Sequence, residues 1–238
     1  APAGEFKRQN MVGIGTGVAN VAEWGSFNLT FAIATLVSLD SGTVYGLTVQ
    51  MMGVAFMIYV GMGTATSVRV AERFGRGDAV GVREASRLGV VASTLLGLIL
   101  ATALILLRDP IAVTWLNGSE VASEGAHLVP QLSLMLAAVA FVTLFDGLQA
   151  VGSMALRAQG VVWIPTVIHV GSYVFVMLPL CWWLALHTSY GVWGVIIGIS
   201  IASIVAGVGQ VLALEIRTAH TARFGLPKDG RAPAPIVH

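Results

Sequence analysis

LGVVASTLLGLILATALILL, residues 88–107, decides the fold class, because this stretch contains no charged side chain between Arg87 and Arg108. A helix needs about 20 apolar residues to cross the hydrocarbon core of a membrane. Backbone polar groups in lipid must be satisfied internally, and a helix achieves this within one segment. Similar apolar segments recur at about 11–38, 44–68, 129–156, 161–186 and 191–214. The pattern therefore predicts an all-α membrane protein with six transmembrane helices in one bundle.

The composition excludes a soluble globular domain. Hydrophobic residues make up 56% of the chain and charged residues only 11%, against roughly 25% charged residues in an ordinary soluble domain. The single cysteine, Cys181, excludes an intrachain disulfide and a cysteine-based metal cluster. We see no signal peptide, and the start without Met leaves open that the chain is part of a longer one. We expect membrane lipid as a partner, and no cofactor or nucleic acid.

The lysine and arginine residues predict the orientation in the membrane. With both termini on the cytoplasmic side, every Lys and Arg except Arg108 lies on that side, as the positive-inside rule requires. Residues 68–87 are then a cytoplasmic linker and residues 107–127 an external one. The predicted organisation is a cytoplasmic lead-in at 1–10, the six-helix bundle at 11–217, and a disordered cytoplasmic tail at 218–238.

Two local features predict how the last helices are shaped and packed. Pro179 lies deep in the fifth apolar segment, where its missing N–H and its ring should kink the helix. Gly194 and Gly198 are four residues apart in the sixth segment (GVIIG), a spacing that permits close contact between helices. We therefore expect a kinked fifth helix and a close contact made by the sixth.

Two acidic residues lie where solvation is poorest. Glu23 lies inside VANVAEWGSFNLTF and Asp146 inside LFDGLQ, and each is the only charged residue of its apolar segment. An ionised side chain at the bilayer centre costs about 2.5–3.5 kcal/mol on insertion scales, so such residues face the protein interior or a water-filled cavity. In the orientation above, Glu23 lies about 18 Å and Asp146 about 15 Å from the cytoplasmic face. Both acids are predicted near the midplane, where secondary transporters place their coupling and substrate sites.

Each acid lies on a polar stripe of its helix. Helical spacing places polar or aromatic side chains one turn from the acids, and these are predicted to line a substrate cavity: Asn20, Phe27, Thr143 and Gln149. Neither acid has an Arg or Lys at hand within its own helix. Because burial disfavours the charged form, each should bind a proton or recruit a cation. The sequence therefore predicts that Glu23 and Asp146 bind a coupling ion, Na⁺ or H⁺, with no other metal.

His169 is a candidate proton relay in the fifth segment, with Ser172 and Tyr173 nearby. The alternative, an interior histidine that is hydrogen-bonded for structural reasons, stays open. No Ser/His/Asp arrangement, metal-ligand cluster or phosphate-binding loop occurs in the sequence. We therefore expect a transporter and not an enzyme.

Three motifs resemble those of the MATE (multidrug and toxic compound extrusion) transporters. AEWGSFNLTFAIATL (22–36) resembles the family's seventh helix, and VQMMGVAFMIYVGMGTATSVRVAERFGRGD (49–78) resembles its eighth helix and the following loop. LFDGLQAVGSMALRAQG (144–160) resembles its tenth-helix signature. The resemblance runs from about residue 11 to 217. It implies the NorM-like branch, and within it the C-terminal six-helix lobe of a twelve-helix transporter with a central cleft.

The resemblance implies a secondary active multidrug exporter that exchanges organic, cationic amphipathic compounds for Na⁺ or H⁺. The resemblance also implies that Glu23 and Asp146 are the cation-binding carboxylates and that Gln50 lines the cavity. The partner would be the missing N-terminal lobe, either in the same chain or in a second subunit. The expected location is the bacterial inner membrane. Val142 lies where many members of the family have a Tyr. Asn28 lies where eukaryotic members have a second acid. These two differences leave the identity of the ion open.

Two other functions stay open. A flippase for a lipid-linked polar precursor would use the same architecture, but it would favour basic residues in the cavity, and the six apolar segments contain no Lys or Arg. An intramembrane aspartyl protease would also place two acids at matched depth. One of the acids here is Glu23, however, and the G-x-G-D type of motif is missing around Asp146. The exporter is therefore the first hypothesis, the flippase the second and the protease the third.

Overall fold

The computed structural model describes residues 3–117 and 125–226, and within these ranges the chain is a helical bundle with no β-strand. This confirms the predicted all-α fold. A 3₁₀ turn (Gly125–Leu128) lies between the fourth and fifth helices, and a π-helical segment (Gly171–Met177) joins the sixth helix to the seventh. The helices are α1 (Ala3–Val37), α2 (Leu39–Gly75), α3 (Ala79–Leu106), α4 (Arg108–Asn117), α5 (Val129–Ala158), α6 (Trp163–Val170), α7 (Leu178–Leu186) and α8 (Val192–Phe224).

Within the described ranges, five helical spans are long and apolar enough to cross a membrane: α2, α3, Ala126–Ala158, Trp163–Leu186 and α8. The sequence predicted six such spans, and α1 is the exception although its 35 residues would suffice in length. Its Asn20, Glu23 and Asn28 interrupt the apolar residues and lower its mean hydropathy. The chain is therefore a multi-pass membrane protein whose first helix is less apolar than the five spans.

The connection between α2 and α3 is shorter than the sequence predicted. Residues 68–87, expected to be a linker, are helical except for a turn at 76–78. Gly77 adopts a φ of 75°, which glycine tolerates because it has no Cβ. Asp78 then caps α3 by accepting a hydrogen bond from the N–H of Gly81 at 2.8 Å, and this bond holds the pKa of Asp78 below its usual range.

Helices also extend beyond the predicted bundle at 11–217. α1 already includes residues 3–10, and α8 continues through residues 218–224, so the predicted tail is helical at its start. A helix satisfies its own backbone hydrogen bonds, so it can continue past the apolar run that predicted it. Residues 227–238 of the tail lie outside the described residues. In the expected external linker, α4 comes first and residues 118–124 lie outside the described residues.

A π-helical segment precedes Pro179, where the sequence predicted a kink. Pro179 lies at the start of α7, directly after the segment Gly171–Met177. Proline lacks an N–H, and its ring clashes with the carbonyl four residues earlier in an α-helix. The wider π turn avoids that α-helical hydrogen bond, and such turns occur frequently at functional sites.

α5 lies at the centre of the bundle, packed against α2, α3, α4 and α8. α1 packs against α2 and, on another side, against α6 and α7. The contact between α1 and α6 includes a hydrogen bond from the Thr166 hydroxyl to the Gly15 carbonyl at 2.9 Å. This arrangement brings Glu23 of α1, Asp146 of α5 and His169 of α6 into one region of the bundle.

Gly194 and Gly198 allow α8 to approach α7 closely, as the sequence predicted. A Cβ atom on Gly194 would lie 2.5 Å from the carbonyl carbon of Leu184. A Cβ atom on Gly198 would lie 2.5 Å from Sγ of Cys181. Real Cβ atoms do not approach other atoms this closely, so the two helices depend on glycine at these positions.

Gly194→Ala should therefore destabilise the bundle. The added methyl group meets backbone atoms of Leu184 and Ala185, which cannot turn aside as a side chain can, and overpacking of this kind costs about 1–3 kcal/mol. Gly61→Ala is the matched control, because no neighbouring helix lies within 4 Å of a Cβ at Gly61 in α2. Thermal unfolding in detergent measures both variants, and equal midpoints would contradict the close contact between α7 and α8.

Candidate functional site

Glu23 and Asp146 line the same cleft, although they come from α1 and α5. The cleft contains about 380 Å³ of empty space, with the open space at its mouth included. Both acids are largely buried, with exposed fractions of 8% for Glu23 and 7% for Asp146. The other lining residues are apolar or aromatic, apart from Gly53: Trp24, Phe27, Val49, Met52 and Phe56. Two acids therefore share a cavity whose walls provide little solvation.

Because Glu23 and Asp146 line one cleft, their charges repel each other when both side chains are ionised. Repulsion between two carboxylates is much stronger between apolar walls than in water, because little solvent screens it. A proton or a metal cation bound at the cleft would relieve that repulsion. Two buried hydroxyl groups lie near Asp146, those of Tyr59 and Ser203. The surroundings of Asp146 thus include neutral oxygen atoms as well as the carboxylates.

A hydrogen-bond network holds Glu23 in place. Nε2 of Gln149 donates to Oε1 of Glu23 at 2.9 Å, and the hydroxyl of Tyr173 donates to Oε1 of Gln149. Gln149 lies one turn from Asp146 on α5, so the same helix positions both side chains. A side-chain amide whose nitrogen and oxygen both form hydrogen bonds has a defined orientation. Gln149 therefore fixes the carboxylate of Glu23 against α5.

His169 contacts the same two residues from α6. Its Nε2 lies 3.1 Å from Nε2 of Gln149 and 3.7 Å from Oε2 of Glu23. Its Nδ1 lies 2.8 Å from the carbonyl oxygen of Pro165. The neutral tautomer with its proton on Nδ1 satisfies both hydrogen bonds, because it donates to the carbonyl and accepts from the amide. A proton added at Nε2 would instead face the carboxylate of Glu23.

Gln210 of α8 completes the network, and the sequence analysis missed it. Its Nε2 donates to the carbonyl oxygen of Pro165 at 3.0 Å and lies 2.9 Å from Nδ1 of His169. Gln210 is fully buried inside an apolar helix. A single polar side chain within an apolar segment is the signal that identified Asp146. The same signal is present in the sequence at Gln210.

The structure separates the predicted cavity residues into two groups. Phe27 lines the cleft, and Gln149 lies in the network beside it. Asn20 and Gln50 are exposed and are not among the lining residues. Thr143 is buried, but its hydroxyl donates to a backbone carbonyl of its own helix and it does not line the cleft. These last three residues therefore do not line the cleft within this lobe, and their place in a cavity between two lobes stays a prediction.

Helix rotation explains the position of Asn20. The buried side chains of α1 around the acid are Ala19, Glu23, Ser26 and Thr30. Asn20 is one residue away from this line and therefore lies on an exposed face. Counting one turn back from Glu23 gives two positions, and the sequence alone did not show which of them faces the bundle.

The helix that carries Asp146 also carries an arginine. Arg157 occupies the last turn of α5, the helix that carries Asp146. α5 continues to Ala158, two residues beyond the predicted end at residue 156. Arg157 is eleven residues from Asp146, about 16 Å along the helix, and among the described residues it forms no ion pair with either acid.

Comparison with known proteins identifies the family, because the profile of the MatE family matches residues 16–183. The chain belongs to the MatE family. It is 29% identical to "Probable multidrug resistance protein NorM" of Caulobacter vibrioides, over 83% of this chain and 41% of that protein. It is 31% identical to the protein of the same name from Bradyrhizobium diazoefficiens, over 83% of this chain and 42% of that one.

Solved MATE structures share the fold of this MatE chain. A crystal structure of MATE in the bent conformation matches 94% of the chain with a TM-score of 0.84 at 14% identity. The eukaryotic MATE transporter AtDTX14 matches 92% with a TM-score of 0.75 at 23% identity. In each case the chain covers 48% of the solved protein. The chain thus spans less than half the length of these relatives, and it corresponds to their C-terminal lobe, as predicted.

Gln149→Leu should weaken the attachment of α1 to α5. Leucine has a similar volume, but it removes the bonds to Glu23 and Tyr173, and each buried polar group left unsatisfied costs about 1–3 kcal/mol. Gln50→Leu is the matched control, because Gln50 is an exposed glutamine on α2. Thermal unfolding in detergent compares the two, and a Gln149→Leu protein as stable as the control would contradict the network.

Proposed function

We propose that this chain is one lobe of a secondary active multidrug exporter, in which a coupling cation, Na⁺ or H⁺, binds between Glu23 and Asp146. The observation that carries the proposal is that both acids line one apolar cleft. Relatives of this chain are called multidrug resistance proteins, and the matched region covers 41–42% of their length. The exporter would therefore consist of this lobe and a second six-helix lobe, in the same chain or in a second subunit.

The two carboxylates would hold the coupling cation together. One positive charge between Glu23 and Asp146 replaces their mutual repulsion with attraction to both. For Na⁺, which prefers oxygen ligands as other hard cations do, the hydroxyls of Tyr59 and Ser203 beside Asp146 offer additional ligands. Gln149 holds Glu23 in position for this role. The ion would thus meet a partly preformed site.

For H⁺, His169 is the proposed relay. Its Nε2 is the ring nitrogen nearest to Glu23, and its Nδ1 is occupied by the Pro165 carbonyl. A proton arriving at Nε2 would therefore face the carboxylate that it is to reach. This arrangement favours a relay over a purely structural histidine, whose second nitrogen would need no acidic neighbour.

The cleft suits an organic cation with apolar parts. Trp24, Phe27 and Phe56 offer aromatic surfaces, and aromatic faces attract cations as well as apolar groups. The acids supply the opposite charge. Substrate and coupling ion would compete for the same carboxylates, and transport would follow if each bound better to a different access state of the two lobes.

The polarity of the cleft distinguishes this proposal from a flippase for a lipid-linked polar precursor. Such a substrate would favour basic side chains in the cavity, whereas the residues that line this cleft include two acids and no Lys or Arg. An aspartyl protease would need a pair of aspartates, and here one acid is Glu23. Antiport of a cation against an organic compound remains the proposal that fits these residues.

Glu23→Gln and Asp146→Asn should each abolish ion-driven efflux from the transporter that carries this sequence. Each substitution keeps the volume of the side chain and removes the charge that attracts the cation. Everted membrane vesicles energised by a Na⁺ or H⁺ gradient, with ethidium as the transported cation, measure this at equal membrane abundance. Glu84→Gln is the matched control, because Glu84 is an exposed acid on α3, and it should retain efflux. Gradient-driven efflux that persists in both cleft variants would contradict the proposal.

The proposed location is the bacterial inner membrane, with both termini in the cytoplasm. Single cysteines in a Cys181→Ala background test this orientation: Gly75→Cys at the end of α2 and Ser189→Cys in the turn before α8, both at exposed positions. A membrane-impermeant maleimide should label the Ser189→Cys protein in intact spheroplasts and the Gly75→Cys protein only after lysis. The reverse labelling pattern would contradict the positive-inside assignment.

A further inference from the structure

Two arginines of α3 share one glutamate of α8. Arg87 donates from Nε to Oε1 of Glu215 and from Nη2 to Oε2, each at 2.9 Å, so it binds both carboxylate oxygens. Nη2 of Arg83 lies 3.7 Å from Oε2 of Glu215, an ion pair that is too long for a hydrogen bond. These three side chains form the Arg83–Arg87–Glu215 cluster. Because the cluster contains two arginines and one acid, it has an excess of positive charge.

The cluster can be reached from outside the bundle. The side chains of Arg83, Arg87 and Glu215 are 35%, 55% and 34% exposed. Glu84 is the nearest other acid in the sequence of α3, and it forms no ion pair with either arginine among the described residues. It follows Arg83 by one residue and therefore points about 100° away around the helix. The exposed edge of Arg83 is thus available to a further anion.

The helix faces that carry the cluster continue into the membrane as exposed aliphatic side chains. Four such residues lie one and two turns from the cluster: Val91 and Leu95 on α3, and Leu212 and Val208 on α8. Their exposed fractions lie between 41% and 57%. At 1.5 Å per residue, this strip extends about 12 Å along the helices from Arg87. A charged site followed by an apolar strip matches a molecule with an anionic head and hydrocarbon chains.

The strip lies away from the cleft of Glu23 and Asp146. Around α5 the helices follow in the order α1, α2, α3, α8 and α6–α7, each packed against the next. The residues that line the cleft come from α1, α2 and α5. A second lobe would face that cleft, whereas α3 and α8 meet on another side of the ring. Because both helices are apolar enough to cross a membrane, their exposed aliphatic side chains contact lipid.

The end of the bundle that carries the cluster is positively charged. Among the described residues at this end of α2, α3, α5 and α8, eight are arginines and four are acids: Arg69, Arg73, Arg76, Arg83, Arg87, Arg157, Arg217 and Arg223, against Glu72, Asp78, Glu84 and Glu215. Leaflets that contain anionic lipids have a negative surface potential, which attracts arginine side chains beside a membrane-spanning helix. The charge of this end therefore favours an anionic lipid over a zwitterionic one.

We propose that the Arg83–Arg87–Glu215 cluster binds the phosphate of an anionic phospholipid, whose acyl chains lie along the exposed aliphatic side chains of α3 and α8. The phosphate binds Arg83, whose Nη2 the carboxylate does not reach within hydrogen-bond distance. Arg87 keeps its two bonds to Glu215 and holds the two helix ends together beside the lipid. The inference does not depend on the transport function, because it concerns the side of the lobe that faces lipid.

Thermal unfolding of the transporter that carries this sequence, purified in detergent, tests the proposal. Dioleoylphosphatidylglycerol or dioleoylphosphatidylcholine is added at rising mole fraction, and a lipid that binds the folded state raises the midpoint by mass action. The ratio of the two half-maximal mole fractions, phosphatidylcholine over phosphatidylglycerol, defines the anionic preference. Arg83→Gln should lower this preference about fivefold, because it removes one arginine beside the phosphate. Arg83→Lys keeps the charge and should retain the preference.

Glu215→Gln distinguishes lipid binding from an ion pair that only joins two helices. Loss of this acid frees the donors of Arg87 and adds one positive charge to the cluster. The anionic preference should therefore rise about fivefold, although the link between α3 and α8 is lost. A purely structural ion pair predicts no such rise. This variant decides the question by itself if Arg83→Gln cannot be purified in a folded form.

Arg69→Gln is the matched control, because Arg69 is an exposed arginine at the same end of the bundle but belongs to α2. It should keep the parental preference. An equal fall in Arg69→Gln would show a general attraction to surface charge and would overturn the specific site, as would an unchanged preference in Arg83→Gln or in Glu215→Gln. Inorganic phosphate is added in a parallel series. If it raises the midpoint as much as dioleoylphosphatidylglycerol does, the cluster binds free phosphate and the assignment to a lipid is wrong.

Discussion

The hydrogen bond from Gln149 to Glu23 joins a polar helix to the centre of an apolar bundle, and the arrangement of the site depends on it. α1 is less apolar than the other long helices and carries an acid that lipid would not solvate. Gln149 gives that acid a partner and places it on the same cleft as Asp146. His169 of α6 and Tyr173 of the π-helical segment contact Gln149, and Gln210 of α8 contacts His169 in turn. Three parts of the bundle thus support the residue that holds Glu23.

The electrostatics of the site follow from this convergence. Two acids in a cleft with apolar walls form a site for positive charge, whether that charge belongs to an ion or to an organic substrate. The hydroxyls of Tyr59 and Ser203 near Asp146 differ from the acids, because they supply neutral oxygen atoms and add no charge.

The sequence predicted the helical class, the two buried acids and the glycine contact of α8, because each leaves a local signal: a long apolar run, a lone charge, or glycines four residues apart. It did not predict which side of α1 faces the bundle, and Asn20 therefore lies outside the cleft of this lobe. It also missed Gln210, because the role of this residue depends on contacts between distant helices. The position of Gln50 came from family resemblance, and this chain exposes that residue.

The central claim is that Glu23 and Asp146 form one cation site and not two. Equilibrium binding of ²²Na⁺, with potentiometric proton counting in parallel, measures the number of cations bound per chain in the parental transporter and in Glu23→Gln, Asp146→Asn and the double variant. A shared site predicts that each single variant loses as much bound cation as the double variant does, because one carboxylate is insufficient. If each single variant instead keeps half of the bound cation and only the double variant loses all of it, the acids act separately and the account is wrong.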